Sequence, residues 1–88
     1  GVTFAVADSG VDQGNPEFAD RIAAGYDFPG CAPSGLPGSD RGGGAGHGTH
    51  VAGLLAGAGV VPGGEDASGF HYGIGVAPQV QLVAMSLF

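Results

Sequence analysis

The chain has 88 residues, of which 20 are glycine and 6 are proline, and its formal net charge at pH 7 is −6. Two basic residues against eight acidic ones leave no basic patch for a phosphate backbone, which argues against a nucleic-acid partner. No apolar run approaches the roughly 20 residues that a membrane-spanning helix needs, so no membrane insertion is expected within this segment.

The first predicted element is a buried strand over residues 2–7, a nearly continuous apolar run that ends at Asp8. An Asn-Pro pair at residues 15–16 predicts a turn that carries one helical turn, with the asparagine as its cap. A second strand is expected over residues 22–28. Residues 29–46 are rich in glycine, proline and serine and lack periodicity, so they predict a long loop with a function of its own or a family-specific insertion.

A helix is predicted over residues 47–58. Its apolar residues recur at the spacing i, i+3, i+4, i+7 of a single buried face, which comprises Val51, Leu54, Leu55 and Ala58. His47 and His50 each lie four residues before a member of this face, so both imidazoles are expected to point inward. Glycines in and before the helix leave its backbone uncovered for close approach.

Residues 81–88 predict a third buried strand, after a second glycine-rich loop. The order of strand, strand, helix and strand implies a parallel sheet with a right-handed crossover, and hence an α/β layer fold. A crossover helix begins near the carboxyl edge of the sheet, where such folds place their chemistry. Asp8 and His47 are therefore expected to meet there, with the carboxylate orienting the imidazole as a general base.

Two motifs resemble those of the subtilisin-like serine peptidases. Residues 6–12, Val-Ala-Asp-Ser-Gly-Val-Asp, resemble the aspartate motif of that family, and residues 46–53, Gly-His-Gly-Thr-His-Val-Ala-Gly, resemble its histidine motif nearly letter for letter. Residues 75–78 and the run at 82–88 are similar to the segment that follows the histidine motif in that family. The order of aspartate before histidine is also the established order of the family. The resemblance spans nearly the whole chain.

The resemblance implies a subtilisin-like three-layer α/β architecture that is incomplete here, with residues 1–88 as the amino-terminal part of the catalytic domain. It implies a serine endopeptidase acting on polypeptides, in which Asp8 orients His47 and His47 activates a serine. His50 would be structural. The family is commonly exported, so a secreted or cell-surface location is expected.

No cofactor is implied for the chemistry, but the family commonly binds calcium, so a structural calcium ion is left open. The acidic residues that could be ligands of such an ion are Asp12, Glu17, Asp20 and Asp27. No spacing resembles an EF-hand loop. Solvated surface carboxylates are the simpler interpretation of these four residues.

The chain also departs from the family. The nucleophile of the family lies in a Gly-Thr-Ser motif far downstream, which none of the five serines here matches: Ser9, Ser34, Ser39, Ser68 and Ser86. The oxyanion-hole asparagine is absent too, so the segment alone is expected to be inactive. Members often carry an aspartate four residues before the histidine, where this chain has Gly43, and Asp40 is a nearby candidate to replace it.

Three alternatives remain open at this point. A non-catalytic homologue could keep the fold for binding or regulation, and the downstream sequence would distinguish it. A phosphotransfer enzyme using Asp8 would need basic phosphate ligands, of which the chain has only Arg21 and Arg41. A zinc pair formed by His47 and His50 is disfavoured because helical zinc pairs are more often four residues apart.

Plainer interpretations exist for single residues as well. Asp8 taken alone could be a turn or capping aspartate, and His47 a buried, hydrogen-bonded histidine. The two motifs in the order of the family favour the catalytic interpretation. Cys31, the single cysteine, cannot form a disulfide within the chain, and its loop setting indicates no catalytic role.

Overall fold

A computed structural model describes residues 2–28, 36–40, 46–60, 64–70 and 72–87 of the chain. They contain three strands, one turn of 3-10 helix and an α-helix in the predicted order: β1 (Thr3–Asp8), the 3-10 turn (Pro16–Phe18), β2 (Ile22–Asp27), α1 (His47–Ala56) and β3 (Gln81–Ser86). Cys31, Ser34, Arg41 and Gly43 lie outside the described residues.

The boundaries of the short helical elements follow from local hydrogen bonds. The Asn15 side chain accepts the N–H of Glu17 at 3.0 Å, so it caps the 3-10 turn as predicted. The helix α1 ends two residues before the predicted end, because Gly57 leaves the helical conformation while its N–H still donates to the carbonyl of Gly53. In the described parts of the chain, no helix is both long enough and apolar enough to cross a membrane.

The sheet is parallel, with β3 between the two other strands in the order β1-β3-β2. The register pairs Asp8 of β1 with Ser86 of β3, and Asp27 of β2 with the same serine. The carboxyl ends of all three strands therefore lie together at one edge. Parallel neighbours require crossover connections, and the predicted α/β class is confirmed.

One face of the sheet packs against α1. The buried apolar side chains form a single cluster: Val6, Val11, Phe18, Ala52, Ala56, Leu82 and Ala84. Side chains on the other face alternate with these along the strands, and of them Ala7 and Tyr26 are exposed. The described residues thus form two layers of the expected three-layer architecture. The first strand was expected to be buried throughout, but only Val6 of β1 is buried. Among the described residues, no helix covers the other face of the sheet, and β1 pairs with β3 alone.

The buried face of α1 agrees with the predicted one in part: Val51 and Leu55 are half-buried and pack against the core, but Leu54 does not. Its buried residues are the small ones Gly48, Ala52 and Ala56. Leu54 is 62% exposed, the side chain of His47 is 69% exposed, and His50 is exposed too. The expectation that both imidazoles point inward is therefore wrong. Small side chains let the helix backbone approach the sheet closely, a preference that a count of large apolar residues does not detect.

Candidate active site

The last residue of β1 and the first residue of α1 meet at the carboxyl edge of the sheet. His47 Nδ1 lies 2.7 Å from Asp8 Oδ1, so the expected contact is present. The same carboxylate oxygen accepts the N–H of Ser9 at 2.7 Å. The Asp8 side chain is 17% exposed and that of His47 is 69% exposed. The carboxylate is thus held between two donors, whereas the imidazole is open to solvent.

Hydrogen bonding controls the protonation of Asp8. The backbone N–H of Ser9 contributes most to lowering the pKa of the Asp8 carboxyl below 3.8, followed by the hydrogen bond with His47, and a smaller effect of desolvation opposes both. The carboxylate is therefore ionised near neutral pH. An ionised carboxylate at Nδ1 favours the tautomer with its proton on that nitrogen, which leaves the lone pair of Nε2 free to accept a proton.

Ser9 joins the end of β1 to the first turn of α1. Its side chain is fully buried. The hydroxyl donates to Asp40 Oδ1 at 2.9 Å and accepts the N–H of Gly48 at 2.9 Å. Leaving a buried N–H without a partner costs about 1–3 kcal/mol. A hydroxyl at position 9 therefore stabilises the junction of strand and helix.

Asp40 caps the helix from outside it. The N-cap residue of α1 is Gly46, which has no side chain to accept a hydrogen bond. Asp40 Oδ2 instead accepts the N–H of Gly46 at 2.9 Å, the N–H of Thr49 at 3.1 Å and the Thr49 hydroxyl. These N–H groups belong to the set that a helix leaves unpaired at its start. The sequence suggested Asp40 only by its proximity to Gly43, because a cap separated from the helix by a loop has no local signature.

The pKa of Asp40 reflects two opposing influences. Burial raises it, but the hydrogen bonds from the Thr49 hydroxyl, the Gly46 and Thr49 N–H groups and the Ser9 hydroxyl outweigh burial and leave the pKa below 3.8. A negative charge beside the positive end of the helix dipole is favourable as well. Asp40 is thus an ionised acceptor at the start of α1.

The acids considered for calcium are in part structural. Glu17 Oε2 accepts the N–H of Gly59, which follows α1, at a distance of 2.6 Å. Asp27 Oδ1 accepts the N–H of Gly38 at 3.0 Å. Glu17 and Asp27 are thus half-buried and accept backbone hydrogen bonds in addition to any contact with solvent, while Asp12 and Asp20 are exposed. Within the described ranges, no group of three or more His, Cys, Asp or Glu residues could hold a metal ion.

Arg21 holds the other end of α1. Its guanidinium donates to the backbone carbonyl oxygens of Glu17 at 2.5 Å, Ala56 at 2.6 Å and Val80 at 3.2 Å. A cation at the carboxyl end of a helix is stabilising. These contacts occupy Arg21 with the backbone, so they give no support to the phosphate-binding role that a phosphotransfer enzyme would need.

The described serines include no evident nucleophile. Ser9 and Ser86 are fully buried, and the Ser86 hydroxyl donates to the Ser9 carbonyl at 3.2 Å. Buried hydroxyls cannot reach a polypeptide substrate. Of the others, Ser39 is half-buried and Ser68 is exposed in a glycine-containing turn.

A cleft of about 490 Å³ lies on the side of α1 that carries His50 and Leu54, and Phe18 and Ile74 also line it. Neither Asp8 nor His47 lines this cleft, so it is separate from the carboxylate–imidazole pair. His50, expected to be structural, is an exposed lining residue. Its exposure gives no support to a packing role within the described residues.

Comparison with models of known protein families gives a match over the whole chain. The family model described as Subtilase family (Peptidase_S8) matches residues 1–88. Searches of curated proteins and of solved structures found no match.

Proposed function

The chain belongs to the Subtilase family, and on that premise we propose that Asp8 and His47 are the aspartate and histidine of an Asp-His-Ser triad in a serine endopeptidase. Membership of the family indicates a serine peptidase domain with polypeptide substrates. The observation that carries the assignment of residues is the 2.7 Å contact between His47 Nδ1 and Asp8 Oδ1. In this proposal, residues 1–88 are the amino-terminal part of the catalytic domain.

The proposed reaction uses the unprotonated Nε2 of His47 as a general base. As the serine oxygen attacks the carbonyl carbon of the peptide bond, its proton moves to Nε2, and ionised Asp8 stabilises the resulting imidazolium. His47 then returns the proton to the leaving amine, which leaves an acyl-enzyme. Water is deprotonated in the same way to hydrolyse the ester. The low pKa of Asp8 supports this proposal, because the carboxylate stays ionised at neutral pH.

The nucleophile is proposed to be a serine of the same protein that lies downstream of residues 1–88. The complete burial of Ser9 and Ser86 supports that proposal. The donors that stabilise the oxyanion would come from the same source, so the segment alone would not hydrolyse peptides. A secreted or cell-surface location is proposed from the family, whose members are often exported.

Labelling the full-length protein that contains this chain with a fluorophosphonate tests the proposal. We expect the protein to be labelled, and the His47→Ala variant to lose the label while its melting temperature is maintained. His50→Ala is the matched control, since His50 is an exposed histidine on the same helix, and it should keep the label. A folded but unlabelled wild-type protein would support a non-catalytic homologue. Equal labelling of His47→Ala would overturn the role of His47.

A further inference from the structure

We propose that Asp40 is a positioning residue for the Asp8–His47 pair, holding the start of α1 against the end of β1 so that the imidazole stays within hydrogen-bond distance of the carboxylate. This inference rests on the proposed function and adds a residue outside the triad.

The two oxygens of Asp40 bond to the chain neighbours of both members of the pair. Oδ1 accepts the hydroxyl of Ser9, which directly follows Asp8. Oδ2 accepts the N–H of Gly46, which directly precedes His47. A single carboxylate therefore bridges the side chain of the residue after the aspartate and the backbone of the residue before the histidine.

The position of His47 depends on this backbone because its side chain is not packed. With 69% of the side chain exposed, neighbouring atoms do little to restrain the ring, and the contact with Asp8 is one hydrogen bond. The position of the first turn of α1 therefore determines whether His47 Nδ1 lies within hydrogen-bond distance of Asp8 Oδ1. A displacement of about 1 Å in a catalytic group can reduce the rate by about 10²-fold, so an anchor at this junction affects catalysis.

Thr49 reinforces the anchor. Its hydroxyl donates to Asp40 Oδ2 and accepts the N–H of Asp12 at 2.8 Å. The start of α1 is thereby joined to the segment that follows β1 at a second point. Hydrogen bonds hold the pKa of Asp40 below its ordinary value, so its carboxylate is ionised and accepts the Thr49 hydroxyl at neutral pH.

The test is made on the full-length protein with Asp40→Asn. An amide has one acceptor oxygen, so it cannot accept both the Ser9 hydroxyl hydrogen and the helix N–H groups. We expect kcat to fall by about tenfold to 10²-fold with KM changed by less than about twofold. The low-field proton resonance of the hydrogen bond between His47 and Asp8 should weaken or shift. A kcat and a resonance identical to those of the wild type would overturn the proposal.

Two sets of variants separate positioning from general stability. Arg21→Gln removes contacts at the opposite end of α1, and should lower the melting temperature while leaving kcat of the folded protein unchanged. Thr49→Val should lower kcat, and Thr49→Ser, which keeps the hydroxyl, should restore most of it. If Arg21→Gln lowers kcat as much as Asp40→Asn at equal destabilisation, Asp40 is merely structural and the proposal is wrong.

These outcomes stay distinct from failure of the proposed function. If Asp40→Asn does not fold, the Thr49 pair decides, and equal kcat in the Thr49→Val and Thr49→Ser variants would overturn the proposal. If the wild-type protein has no peptidase activity, the proposed function fails but the resonance still reports the contact. Loss of that resonance in Asp40→Asn and its retention in Arg21→Gln would support positioning, and retention in both would refute it.

Discussion

Gly48 lies directly against the carbonyl oxygen of Gly10, so closely that a Cβ at position 48 would lie 2.1 Å from that oxygen. Gly10 itself has a φ of 99°, in the left-handed region that favours glycine. The two glycines let the start of α1 rest on the turn that follows β1. Since His47 precedes Gly48 and Asp8 lies two residues before Gly10, this contact brings the proposed catalytic pair together.

Gly48→Ala should destabilise the full-length protein by about 1–3 kcal/mol, because the added methyl group overpacks the junction. Gly53→Ala is the control in the same helix, since a Cβ there meets nothing within 4 Å. Alanine is the better helix former by about 0.8–1 kcal/mol, so that variant should be stabilised. Free energies of unfolding from denaturant titration give both values. Equal free energies of unfolding for the two variants would show that the structure accommodates a methyl group at position 48, and would contradict the prediction.

Asp8→Asn should reduce kcat by about 10⁴-fold with little change in KM. The amide can donate to Nδ1, which favours the imidazole tautomer whose Nε2 carries a proton and cannot act as a base. Steady-state kinetics on a peptide substrate measure the effect. A reduction smaller than about tenfold in a folded variant would mean that Asp8 does not orient the imidazole.

Stability should decline in acid through Asp8 and Asp40. Hydrogen bonds hold the pKa of each carboxyl in the folded state below 3.8, so the unfolded chain binds these protons more readily. The stabilisation is therefore complete above the unfolded pKa and is lost as the pH falls through the folded pKa. The stability difference between wild type and Asp40→Asn should shrink below about pH 4. A difference that stays constant from pH 6 to pH 3 would contradict this assignment.

The fluorophosphonate label should map outside residues 1–88. Ser9 and Ser86 are fully buried, and none of the five serines has the context of the family nucleophile. Digestion of the labelled full-length protein followed by mass spectrometry of the modified peptide locates the adduct. A label on Ser39 or Ser68 would require a different nucleophile from the one proposed.

Much of the local structure was predictable from the sequence. Apolar runs indicated the three strands, and the Asn-Pro pair indicated the short turn that Asn15 caps. The helix was predicted at its observed start, His47. The face that it buries was predicted only in part. Val51 and Leu55 pack against the core as expected, but periodicity weights large residues such as Leu54, whereas the close approach of two backbones selects small ones such as Gly48.

The sequence by itself determined the element types, their order and the identity of the two motif residues, because these depend on local patterns along the chain. Tertiary structure alone decided how the pair is held. Asp40 contacts Ser9 across 31 positions of the chain, and Arg21 reaches the carbonyl of Ala56 across 35. Such contacts form only after the sheet and the helix have packed, and a capping group far from its helix in sequence has no spacing that could identify it.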